Sequence, residues 1–80
     1  MKWYLIEDCT ESRAAMFNTE LKAETMDDAV REGLAIYDSL TEHDQKEREA
    51  VFVAYAEPDE YGDPDLDKTE AVIDLRKVER

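Results

Sequence analysis

The strongest constraint on the fold is the stretch 25–40, whose apolar residues repeat with the period of an α-helix. At about 100° per residue, its apolar side chains share one arc: Met26, Ala29, Val30, Gly33, Leu34, Ile36, Tyr37 and Leu40. Thr25 is a favourable N-cap residue, and Asp28 lies three residues later, where its carboxylate can reach back to the cap's amide. The stretch therefore predicts an amphipathic helix that buries one wide face.

Gly33 lies near the middle of this apolar arc. Glycine inside a helix costs about 1 kcal/mol relative to alanine, so its position there needs a packing reason. We expect the helix to approach a sheet closely at Gly33, and we expect a bulky residue at this position to destabilise the fold.

Four other segments are short and rich in β-branched or aromatic residues, which predicts strands. They are residues 2–7, 14–24, 50–57 and 70–78. The first is apolar on both faces, as is typical of a central strand. The second alternates, with Ala15, Phe17, Thr19, Leu21 and Ala23 on its inward face. A polar segment, 41–49, predicts a short second helix that begins after Thr41.

The order β-β-α-β-β predicts one α+β domain that spans residues 1–80. A right-handed crossover from the second strand, over the first, into the third gives a four-stranded antiparallel sheet in the order 2-1-3-4. The main helix then covers one face, and Tyr4, Ile6, Phe52 and Ala54 line the other. An uncovered apolar sheet face is usually an interface. We therefore expect a homodimer or a docked protein there, unless the acidic loop or the polar helix folds over it.

The chain is strongly acidic, with a formal net charge of −12 from 22 acidic and 10 basic residues. Such a surface repels nucleic acid and anionic membranes, whereas it can attract a basic protein. No apolar run approaches the ~20 residues of a membrane-spanning helix, and no signal peptide is recognisable. We expect a cytoplasmic protein that binds neither membrane nor nucleic acid directly.

The polar side of the helical region supplies the first candidate site, an acidic face for a protein partner. Its carboxylates belong to Asp27, Asp28, Glu32, Asp38, Glu42 and Asp44. The alternative is an ordinary charged helix surface with i,i+4 pairs, such as Asp27 with Arg31 and Asp44 with Arg48.

The acidic loop 59–70 supplies the second candidate, a divalent-cation site at Asp63, Asp65 and Asp67. Alternating aspartates resemble the first ligands of a calcium loop. Lys68, however, stands where such a loop needs glycine for its sharp turn. The alternative is a solvated acidic loop whose turns are set by Gly62 and Pro64.

Catalytic motifs are weak in this sequence. Cys9 is the only cysteine and His43 the only histidine. The thiol has acidic neighbours that raise its pKa and blunt it as a nucleophile, and the chain has no glycine-rich phosphate loop. We expect no enzymatic activity and no cofactor.

In size, acidity and lack of a catalytic motif, the chain resembles in general type the small accessory proteins of bacteria, phages and mobile elements. The expected function is that of a non-enzymatic protein-interaction module. Its narrower form is an acidic mimic of nucleic acid that inhibits a nucleic-acid-binding protein. The alternative is a protein that binds divalent cations through the acidic loop.

Overall fold

A computed structural model describes residues 1–9 and 16–79. In chain order, the elements are β1 Lys2–Cys9, β2 Met16–Glu20, α1 Met26–Asp38, α2 Glu42–Glu47, β3 Arg48–Pro58, β4 Pro64–Asp74 and a 3-10 helix, Leu75–Lys77. The strands form one antiparallel sheet in the order β2-β1-β3-β4. The α+β class, the strand order and both helices are thus confirmed. Within the described ranges, no helix has the length and apolarity needed to cross a membrane.

The main hydrophobic core lies between α1 and the two central strands. In the β1–β3 ladder, Trp3 stands opposite Tyr55 and Leu5 opposite Val53. The rings of Trp3 and Tyr55 are 4.9 Å apart between centroids. Buried members of this core are Trp3, Leu5, Leu21, Ala29, Val51, Val53 and Leu75. The first and third strands supply most of it because they are the strands with apolar residues in unbroken runs.

Helix α1 begins as its capping residues predict. The Thr25 hydroxyl oxygen accepts a hydrogen bond of 3.2 Å from the Asp28 backbone N–H. On the inner face, Ala29 and Gly33 are buried. A Cβ atom at position 33 would lie 2.9 Å from both Leu75 Cδ1 and Val53 Cγ1. The helix therefore contacts the sheet at its glycine, as expected from the sequence.

Strand β2 differs from its prediction in length and in burial. It ends at Glu20, and residues 14 and 15 of the predicted strand lie outside the described residues. Phe17 is 54% exposed, although the alternation predicted an inward side chain. The physical reason is the placement of α1, which packs over β1, β3 and the 3-10 helix. The Phe17 ring instead lies 5.6 Å from the guanidinium carbon of Arg48.

Strand β4 begins at Pro64, earlier than predicted, and ends at Asp74. The Asp74 carboxylate accepts a 2.9 Å hydrogen bond from the Arg76 backbone N–H, which starts the 3-10 helix. The resulting turn carries Leu75 beneath α1, where it is 2% exposed. The predicted last strand, 70–78, is thus too long at its end because a local cap bends the chain.

The opposite sheet face is closed at its centre. Tyr4, Ile6, Ala54 and Ala56 are at most 1% exposed in the isolated chain, with the half-buried Phe52 packed against them. We expected an open apolar surface at Tyr4, Ile6, Phe52 and Ala54, and this burial corrects that premise. The homodimer stays a prediction, but these side chains no longer give a reason for it.

One end of the sheet is closed by a buried ion pair. Arg48 Nε donates a 2.7 Å hydrogen bond to Glu7 Oε2, and both side chains are largely buried. The Arg48 guanidinium also reaches the Asp44 backbone oxygen at 3.4 Å. Removing one partner of such a pair costs about 3–5 kcal/mol, because the other charge stays buried. This pair therefore ties β1 to the junction of α2 and β3.

The contact at Gly33 yields a stability prediction. Gly33→Leu should lower the free energy of unfolding by about 1–3 kcal/mol, because the added atoms overlap Leu75 and Val53. Urea denaturation monitored by Trp3 fluorescence measures the change. Ala35→Leu is the matched control, since Ala35 is exposed on the same helix. Equal stabilities of the two variants would contradict the close contact.

Candidate functional site

The densest charge in the molecule lies where β3 turns into β4. We call residues 57–70 the acidic hairpin. They include seven acidic residues and one basic residue, so this segment carries a formal charge of −6, half of the net −12. Most of its residues are exposed. Its position at one end of the sheet makes it the leading candidate for a binding surface.

The tip of the acidic hairpin is fixed by Asp59. Its carboxylate accepts hydrogen bonds from the backbone N–H groups of Tyr61 at 2.8 Å and Asp63 at 3.0 Å. The Asp59 N–H donates to the Asp63 backbone oxygen at 2.7 Å. Gly62 adopts φ +84°, a conformation that glycine reaches without steric cost. The tip is therefore an ordered turn.

A wide bulge follows the tip on the β4 side. Pro58 pairs with Pro64 and Ala56 with Thr69, so one residue of β3 faces four residues of β4, 65–68. The Asp65 carboxylate accepts the Asp67 N–H at 3.0 Å, and the Thr69 hydroxyl donates to the Asp65 backbone oxygen at 3.1 Å. These bonds order the backbone of the bulge.

Two apolar side chains on the hairpin project into solvent. Tyr61 is 81% exposed and Leu66 is 54% exposed. Neither side chain was predicted from the sequence to be a site residue. The available signal was an aromatic residue and a leucine inside a segment otherwise made of acids and turn formers. Exposed apolar groups among charges are typical of a surface that contacts another molecule.

The structure does not support the predicted cation site. Among the residues it describes, no three His, Cys, Asp or Glu side chains are arranged to hold a metal ion. Asp63, Asp65 and Asp67 therefore do not form the expected cluster. The physical reason is local, because the Asp65 carboxylate turns onto the backbone of its own bulge instead of facing its neighbours.

The predicted acidic face on the helices is divided between α1 and α2. Asp28 pairs with Arg31 at 3.3 Å and Glu42 with Lys46 at 3.3 Å, which are exposed helix pairs. The pairs expected between Asp27 and Arg31 and between Asp44 and Arg48 are not the ones formed. Asp27 and Asp38 are exposed, and Asp44 is half-buried beside its cap, Thr41. This pattern favours an ordinary charged helix surface.

Glu32 has a structural role within this set. Its carboxylate accepts hydrogen bonds from the backbone N–H of Lys22 at 3.0 and 3.1 Å and of Ala23 at 3.1 Å. These two amides follow the end of β2 and belong to no ladder. The side chain of Glu32 thus anchors α1 to the chain that leads into it, and it is not available as a partner-binding carboxylate.

His43 lies on the outer side of α2. Its Nε2 atom is 2.8 Å from Glu47 Oε1, and the imidazole is 77% exposed. This is a surface i,i+4 pair. A catalytic pair of His43 with Cys9 is conceivable from the sequence, but the side chain of Cys9 lies outside the described residues.

The acidic hairpin also touches the closed sheet face. The Tyr4 hydroxyl lies 3.5 Å from the Gly62 backbone oxygen. Burial raises the pKa of Tyr4 above its ordinary value, and the negative charge of Glu20 adds to the rise. Lys2 opposes it, and Asp59 and Asp63 contribute in the same direction as Glu20. The tip of the hairpin is therefore packed on the sheet at Tyr4.

Comparison of the chain with protein-family models, with curated proteins and with solved structures finds no match.

The anchoring role of Glu32 predicts a stability loss. Glu32→Ala should lower the free energy of unfolding by about 1–3 kcal/mol, because two backbone amides lose a charged acceptor. Asp27→Ala is the control, since Asp27 lies on the same helix, is exposed and is in none of the salt bridges described above. Thermal or urea denaturation measures both. Equal losses would show that Glu32 acts only as a surface charge.

The raised pKa of Tyr4 predicts a pH dependence. The unfolded-state pKa of tyrosine is about 10. Below that pH the Tyr4 hydroxyl is protonated in both the folded and the unfolded state, so its raised folded-state pKa causes no change of stability with pH. As pH rises further, the unfolded state loses its proton first, so stability falls. Urea denaturation at pH 9 and pH 11 should show a smaller loss in Tyr4→Phe than in the parent. Equal losses in the two proteins would contradict burial of the hydroxyl. The exposed Lys2 is present in both proteins, so its titration does not account for a difference between them.

Proposed function

We propose that this protein is a small, non-catalytic interaction module that binds a basic protein surface through its acidic hairpin. The observation that carries the proposal is that one hairpin combines half of the net charge with two exposed apolar side chains. Electrostatic attraction would steer the partner, and Tyr61 and Leu66 would supply apolar contact.

The distribution of the cations supports this proposal. Five lysine or arginine side chains of the described chain lie within 4.0 Å of a carboxylate, in the pairs Lys2–Glu20, Arg31–Asp28, Lys46–Glu42, Arg48–Glu7 and Lys68–Glu57. Arg76 donates to the backbone oxygens of Arg48 and Glu49. Much of the positive charge is thus neutralised locally, which leaves a negative field at the hairpin.

Tyr61 gives the hairpin a means of recognising arginine. A guanidinium group can stack on an aromatic face while its N–H groups reach carboxylates. Asp59, Glu60 and Asp63 flank the ring in sequence. Aromatic residues on a rigid turn also lose little side-chain freedom on binding, which favours them at the centre of an interface.

The narrower form of the proposal names the partner class as a nucleic-acid-binding protein. Such proteins present rows of lysine and arginine to phosphates, and a dense carboxylate surface can occupy the same groups. The module would then compete with nucleic acid for its partner. Cytoplasmic location is part of the same proposal.

The charge of the hairpin can be tested with two matched variants. The first combines Glu60→Gln, Asp63→Asn and Asp67→Asn, and the second combines Glu24→Gln, Asp27→Asn and Glu49→Gln. Each variant removes three exposed carboxylates. A partner is captured with the parent protein from the native host at low salt and purified, and its affinity for all three proteins is measured by calorimetry.

We expect the hairpin variant to bind about tenfold more weakly, since exposed charge pairs contribute about 0.2–1 kcal/mol each. The second variant should bind like the parent. Equal weakening of both variants would show that net charge alone drives binding and would contradict a site at the hairpin. Competition by duplex DNA for the same partner tests the narrower form.

A further inference from the structure

The outer edge of β4 is a second feature, and the proposed function draws only on its residues up to Glu70. β4 is a terminal strand of the sheet, with β3 on one side and, among the described residues, no strand on the other. Alternate residues of an edge strand direct their N–H and C=O groups outward, where an extended segment can pair with them.

The last four residues of this strand, 71–74, lack the usual protection against pairing. Edge strands are commonly blunted by lysine, proline or a bulge. In β4 these features occur at Pro64, in the bulge 65–68 and at Glu70, where the register with β3 shifts between the pairs Ala56–Thr69 and Tyr55–Ala71. Residues 69–74 contain neither lysine nor proline, and from Ala71 to Asp74 they pair with β3 in unbroken register. We call residues 69–74 the open edge.

The helix-side face of the open edge borders an apolar groove. A groove of about 590 Å³ lies between α1 and the end of β4. Its apolar lining comes from Met26, Val30, Leu34, Ile73 and Val78. Ile73 belongs to the open edge itself, and Met26 is 47% exposed. A strand added beside β4 would place an apolar side chain into this groove.

The other face of the open edge has a different chemistry. Val72 is 59% exposed, and Asp74 stands two residues after it on the same face. Glu70, which is also exposed, lies just before it at the register shift. An added strand would meet two carboxylates there. Basic side chains on that face of the incoming strand would be complementary to them.

We infer that the open edge binds an extended basic segment of the partner, in which apolar and basic residues alternate. The period of two follows from the two faces, one apolar and one acidic. This inference takes from the proposed function that the partner is basic. A second copy of this chain fits less well, because self-pairing centred on Val72 sets Glu70 opposite Asp74 and joins two chains of charge −12.

The test uses defined peptides in place of the natural partner. The probe is a fluorescent heptapeptide, Lys-Val-Lys-Val-Lys-Val-Lys, whose binding is followed by anisotropy. A peptide of the same composition with its four lysines before its three valines is the composition control. Two further peptides are N-methylated on the backbone, one at its lysines and the other at its valines. Because the N–H groups of alternate residues point to the same edge of a strand, each peptide loses the hydrogen-bond donors of one edge and keeps its charge.

The alternating peptide should bind at least tenfold more tightly than the composition control. One N-methylated peptide should lose this affinity while the other retains it, because only one peptide edge faces β4. Amide hydrogen exchange should slow at residues 69–74 on binding. Val72→Lys, a change at an exposed side chain, should weaken the alternating peptide at least tenfold without unfolding the protein.

Equal affinity of all four peptides would overturn strand addition and leave only general electrostatic attraction. Strand addition would also be overturned if peptide binding did not slow amide hydrogen exchange at residues 69–74. A dimer in sedimentation that Val72→Lys dissociates would assign the edge to a second copy instead. The hairpin triple variant separates the two proposals, because it should still bind the alternating peptide through the open edge even if the acidic hairpin proves to have no partner.

Discussion

The fold depends on the close seating of α1 on the sheet at Gly33. Three parts of the chain meet there, since Val53 comes from β3 and Leu75 from the turn that follows β4. A larger residue would lift the helix and open the core to water. In a chain of 80 residues the buried fraction is small, about 60–65% of the unfolded surface, so the loss of one such contact affects a large share of the total stability.

The end of β4 supplies one side of this contact. Asp74 stops the strand by capping a single helical turn, and that turn places Leu75 under the glycine. The position of the helix and the length of the edge strand are therefore set together. The groove beside Ile73 exists because the chain leaves the sheet plane at this point instead of continuing as a longer strand.

Local signals in the sequence predicted the helices and strands, whereas tertiary contacts decided which side chains of those elements are exposed and which are buried. Thr25 begins α1 through a bond to a residue three positions away, which a sequence pattern can show. The exposure of Phe17 depends on where α1 lies on the sheet, and the burial of Tyr4 and Ile6 depends on side chains from different strands that pack together on the far sheet face. Neither follows from alternation within one strand.

The candidate site was predictable to a similar degree. The concentration of acids at 57–70 could be read directly from the sequence. The sequence did not show which carboxylates stabilise the fold, because this depends on which backbone amides lie near them in the folded chain. Asp59 and Asp65 bind amides within their own turns, whereas Glu32 binds amides about ten positions earlier in the chain. A count of charges therefore overstates the number of carboxylates that face outward.

The strand order also shapes how the chain comes to be folded during its synthesis. β1 emerges from the ribosome before β3, its partner strand, in which Ala56 pairs with Lys2 and Arg48 with Cys9. Contacts this distant in sequence carry a loop-closure cost and form late. Until residue 58 is made, a strand that is apolar on both faces has a free edge. The acidic residues around it supply mutual repulsion between nascent chains during that interval.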